Sequence, residues 1–63
     1  MQLQIFNTDP EEYDIILSID NINCIPNKGD DVYINGRDGV VSHFLWNFMD
    51  KENVKVTMFI DFR

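Results

Sequence analysis

The Asn35-Gly36 pair, set between two short runs of β-branched and aromatic residues, constrains this chain more than any other feature. Both central positions of a type I′ hairpin turn need φ > 0, and Asn and Gly adopt that conformation at the least steric cost. The surrounding segment, residues 25–41 with the sequence IPNKGDDVYINGRDGVV, therefore reads as a compact antiparallel unit. Pro26 and Gly29 make the entry turn, and a short strand over residues 31–34 carries Val32 and Ile34 inward and Tyr33 outward. A tight connection over residues 35–39 then leads into a further strand at Val40.

The flanking sequence repeats the β grammar. Residues 1–7 place Met1, Leu3 and Ile5 against Gln2 and Gln4, the period of two of a half-buried strand. Thr8, Asp9 and Pro10 break that pattern and predict a loop or one short helical turn capped by Thr8 or Asp9. In residues 13–20, Tyr13, Ile15, Leu17 and Ile19 form one face, with Ile16 the large apolar residue left on the other. Ile22, Cys24 and Ile25 then supply a short buried anchor inside a turn-rich connection. The last strand, with Val54, Val56, Met58, Ile60 and Phe62 alternating against Lys55, Thr57 and Asp61, is the clearest of all.

The run over residues 40–49 is harder to orient, because Val40, Val41, Phe44, Leu45, Trp46, Phe48 and Met49 make both parities apolar. A β-bulge near Ser42-His43 would switch the inward set from Val41 to Phe44, Trp46 and Phe48. Coverage of both faces, by the core and by a partner, is a second account. One short helix around residues 40–50 is a third, since Phe44, Leu45, Phe48 and Met49 also fit helical spacing. Of Tyr33, Phe44, Trp46, Phe48, Phe59 and Phe62, all except Tyr33 and Phe59 fill the core by default, and any that do not become candidate partner contacts.

Five strands with short connections and no crossover helix predict an all-β domain, a small five-stranded antiparallel SH3-like barrel over residues 1–63. An OB-like barrel or a sheet with the short helix are the alternatives. A chain of 63 residues buries only roughly 60% of the surface it exposes when unfolded, so a partner or second copy would add useful stability.

Charge and cysteine content narrow the function. Eleven acidic residues against five basic ones leave a net charge of -6, a field that disfavours phosphate backbones and anionic membranes and attracts basic proteins. A single cysteine, Cys24, excludes an internal disulfide framework and is expected as a small buried hydrophobe. No apolar run reaches membrane-spanning length and the first residues lack the pattern of a signal peptide, so a cytoplasmic location is expected.

No residue constellation carries catalysis. His43, the sole histidine, neighbours Ser42, but consecutive strand residues point to opposite faces, which makes a Ser-His dyad geometrically poor. His43 and Cys24 are too few for zinc. The acids do not follow a calcium-loop spacing, and neither glycine turn leads into a helix that could cradle phosphate. The expectation is a non-enzyme without metal or cofactor.

From Ile25 onward, Pro26, Gly29-Asp30, Val32, Ile34, Gly36, Val41 and Trp46-Asn47-Phe48 resemble short SH3-like barrel proteins of phages, prophages and gut bacteria. That resemblance implies a fold and a mobile-element context in a bacterial host. Lys28 to Ile34 followed by Gly36 to Val41 is also similar to the KOW element of ribosomal and transcription-elongation proteins, where basic residues contact RNA or polymerase. Here Asp30, Asp31 and Asp38 face Lys28 and Arg37, which removes the charge that phosphate contact requires. The expected function is an acidic protein-protein interaction module. Its candidate partner contacts are Asp30, Asp31, Asp38, Tyr33, Trp46 and Phe48, and its sharper form is a phage-type inhibitor of a host nucleic-acid-binding enzyme that presents Asp30, Asp31, Asp38 and nearby acids where phosphates would sit. A KOW-like accessory component of a nucleic-acid or ribosome complex is the alternative, and a homodimer through the aromatic strand or a barrel edge suits either.

Overall fold

A computed structural model of the chain describes residues 1–9, 11 and 15–63. Five strands, β1 (Gln2–Asn7), β2 (Ile15–Ile19), β3 (Asp31–Ile34), β4 (Arg37–Phe48) and β5 (Val54–Phe62), lie in one sheet. Their order is β2-β1-β5-β4-β3, and the sheet curls into a half-barrel, so the expected all-β, barrel-like architecture is the observed one. The β3-β4 hairpin turns at Asn35 and Gly36, whose φ angles of 49° and 81° are the positive pair that the dipeptide predicts. With only those two residues in the turn, β4 begins at Arg37 rather than at Val40.

The strands are not all antiparallel, which corrects the expectation. β1 and β5 run parallel at the centre of the sheet, with Leu3 opposite Val56 and Ile5 opposite Met58. A parallel pair needs a long connection, and here β2, β3 and β4 themselves supply it in place of a helix. Paired residues share a face, so β1 and β5 set Leu3, Ile5, Val56, Met58 and Ile60 side by side. These join Val41 and Ile34 as the core, and Val56 and Ile60 are wholly buried. Asn7 also turns inward, where its Oδ1 accepts the Asp9 N–H at 2.9 Å.

The segment between β2 and β3 packs Ile22 and Ile25 onto that core. Its start is pinned by the Ile22 N–H donating to the Met1 carbonyl at 3.0 Å. Cys24 does not share this role, for it is exposed rather than buried. The chain here is turn-like and not a strand, so neighbouring side chains need not follow strand alternation.

Two bulges reorient side chains. In the β1-β2 ladder the register shifts between Ile5 and Phe6, leaving Ile16 without an opposite number. Ile16 consequently packs against the core while Ile15 is half exposed, the reverse of the simple alternation, and Leu17 on the edge strand remains only partly covered. Tyr13 and Asp14, expected in this strand, and Pro10 and Glu12 of the preceding turn lie outside the described residues. In the turn itself the Asp9 carboxylate accepts the Glu11 N–H at 3.0 Å.

The second bulge falls between Val41 and His43, where β4 meets β5. Before it Gly39 and Val41 face the core; after it Phe44, Trp46 and Phe48 do, opposite Met58, Val56 and Val54. This is the switch the first account required, and it removes the helical reading of residues 40–50. Gly39 is also where β5 comes closest: a Cβ there would lie 2.6 Å from Ile60 Cγ2 and 3.0 Å from the Asp61 carbonyl.

Candidate functional site

The six residues expected to meet a partner do not form one surface. Tyr33 pairs with Asp38 and Asp31 with Val40, which places Asp31, Tyr33 and Asp38 on the convex face of the β3-β4 hairpin. Trp46 and Phe48 occupy the concave face at the far end of β4.

The acidic group is internally compensated. The Arg63 guanidinium bonds the Asp31 carboxylate and lies 2.9 Å from the Asp38 carboxylate, and the Arg63 N–H donates to the Asp38 carbonyl. Asp31 first and Asp38 second raise the Arg63 pKa, so the cation stays charged against them. Asp30 Oδ2 accepts the Asn27 N–H at 2.8 Å and holds the turn into β3. Two of the three acids thus share a cation that sequence spacing could not reveal, because Arg63 arrives from the end of β5.

The aromatic group is the opposite case. Phe44 and Phe62 pack on the core as expected, but Trp46 and Phe48 do not follow them: Trp46 is 46% and Phe48 70% exposed. β3 has only four residues and pairs with β4 no further than Val40, so nothing among the described residues covers the later half of the longer strand. Phe44, Trp46 and Phe48 form a continuous row, with successive ring centroids 6.3 Å apart and the last pair stacked within 13°. Leu45, on the opposite face of β4, and Met49, just past its end, are also open to solvent.

The convex face carries a smaller apolar row. Register aligns Ile15, Phe6, Phe59 and His43 across four strands, and the His43 imidazole stacks on the Phe59 ring at 4.4 Å. Here the expected geometry of Ser42 and His43 needs correction. They point together, with Ser42 Oγ 3.0 Å from His43 Nδ1, because the bulge interrupts strand alternation at this position. Neither residue lines the groove of about 380 Å³ between the start of β1 and the β4-β5 hairpin.

Among the described residues no three His, Cys, Asp or Glu side chains come together as a metal-binding group. No helix is long and apolar enough to cross a membrane. No protein-family model, curated protein or solved structure matches the chain.

Proposed function

We propose that the protein is a non-catalytic, acidic protein-protein interaction module that docks in the cytoplasm on a basic protein surface. The observation that carries this reading is the exposed Trp46-Phe48 row on a chain of charge -6. Rigid aromatic side chains bury large area with little loss of rotamer freedom, and the surrounding field draws a cationic partner toward them. Docking through the aromatic row accounts for the geometry better than phosphate mimicry, because Asp31 and Asp38 already hold Arg63.

The test immobilises the wild-type chain and a Trp46→Ser/Phe48→Ser variant and compares what each retains from a bacterial lysate in low salt. Retention of a basic protein by the wild type, lost in the variant and eluted by salt, is the expected result. Equal retention by both chains, or retention of nucleic acid alone, overturns the proposal, and the latter outcome favours the KOW-like reading.

A further inference from the structure

The later half of β4 has a free backbone edge, and its hydrogen-bond phase is fixed by two independent contacts. The Met49 N–H donates to the Asn53 carbonyl at 3.0 Å, so residues 49 and 53 form a hydrogen-bonded pair. Such pairs alternate along an antiparallel ladder, which turns the N–H and C=O of Asn47, Leu45 and His43 toward β5. The same groups of Phe44, Trp46 and Phe48 then point away from β5. At the other end the Val41 N–H donates to the Asp30 carbonyl, and the bulge that follows restores the same phase from Phe44 onward. Among the described residues no strand pairs with this edge beyond Val41.

We propose that a second copy of the chain occupies this edge, its β4 antiparallel to the first, with Trp46 opposite Trp46 on a two-fold axis. Three observations choose this occupant. The segment is palindromic in its aromatics, Phe44-Leu45-Trp46-Asn47-Phe48, so an axis at Trp46 sets Phe44 against Phe48 of the other copy. All three residues present both backbone groups to the edge, so the pairing closes about six inter-chain hydrogen bonds with none left over. Residues 42–49 contain no Asp, Glu, Lys or Arg, so two acidic chains can meet here without placing like charges opposite each other in the ladder.

The lengths also agree. Gly29 and Asp30 bond Val41 and end the free edge there, and the visiting strand turns away after Phe48 into its own hairpin. Pairing joins two half-barrel sheets into one and doubles the row of aromatics on a single face. This inference goes beyond the docking reading and does not depend on whether the partner is basic.

Analytical ultracentrifugation across micromolar to millimolar concentration tests it first. The expected result is a monomer-dimer equilibrium that tightens with added salt, since salt screens the -6 charge on each copy. A monomer throughout overturns the proposal. Register is tested by oxidative cross-linking in a Cys24→Ser background. Trp46→Cys chains should link, because hydrogen-bonded partners have Cα atoms roughly 5.5 Å apart, within disulfide reach. Asn47→Cys chains should not, while a mixture of Phe44→Cys and Phe48→Cys chains should link to each other. A dimer that gives the reverse pattern overturns the β4 edge as its interface. Capture of a basic protein by a chain that stays monomeric leaves the docking reading standing and removes this one.

Discussion

The two halves of β4 both turn apolar side chains toward the core face, and those side chains meet opposite fates. Residues 37–41 lie between β3 and β5, and Val41 there is 1% exposed; seven residues later Phe48, a larger apolar side chain on the same face, is 70% exposed. What differs is the neighbour. β3 is too short to accompany the whole strand, so one half is core and the other half is edge. Burial is a property of the packing partner, and hydrophobicity only makes a residue eligible for it.

Substitutions can sharpen or break that contrast. The largest loss is expected from Gly39→Val in the covered half, where the new side chain must displace Ile60 and the Asp61 backbone. About 3 kcal/mol of unfolding free energy should disappear in urea titration. Val41→Ala comes next, at about 2 kcal/mol for a buried side chain truncated in a packed site. Phe48→Ala in a dilute sample should stay within about 0.5 kcal/mol of the wild type, since it empties no cavity. A Phe48→Ala effect equal to that of Val41→Ala would erase the distinction between the halves.

The turns at the two ends of β4 offer a smaller contrast. Gly36→Ala forces a Cβ into a backbone at φ 81° although the space around it is open, so about 1 kcal/mol of strain is expected. At the far end Asp50 holds the β4-β5 hairpin by accepting bonds from the Asn53 side chain and from the Glu52 and Asn53 N–H groups. The Asn53 side chain first, and then the backbone donors, lower its pKa from the ordinary 3.8. A carboxylate whose folded pKa is depressed adds stability above its unfolded value and loses it as pH falls through the folded value. The stability difference between wild type and Asp50→Ala should therefore be flat near neutrality and close below pH 3.8. A difference that persists in acid would assign the hairpin's stability to something other than this charge.

Much of the fold was legible because local chemistry dictates it. Asn35-Gly36 can turn cheaply in one way, and the alternation from Val54 to Phe62 fits a strand with one buried face. The bulge at Ser42-His43 was inferable because unbroken alternation could not put both Val41 and Phe44 on the core. Other features were hidden because they depend on distant partners. The parallel β1-β5 pairing joins the two ends of the described chain, and the bulge at Ile5-Phe6 that brings Ile16 inward leaves no turn residue as a marker. Cys24 looked buried from its apolar neighbours, but residues 21–29 follow no strand alternation that would carry it inward with Ile22 and Ile25.

The candidate site divides in the same way. Trp46 and Phe48 could be named as contacts from composition, while their exposure required knowing where β3 stops. Asp31 and Asp38 were legible as acids, but their neutralisation by Arg63 was not. By itself the sequence determined strand identity, the I′ turn and the acidity, because these follow from φ preferences, side-chain period and charge count within a few residues. Only the tertiary structure decided which acids are paired, which aromatics are covered and which edge is left open. Each of these depends on what another part of the chain brings alongside.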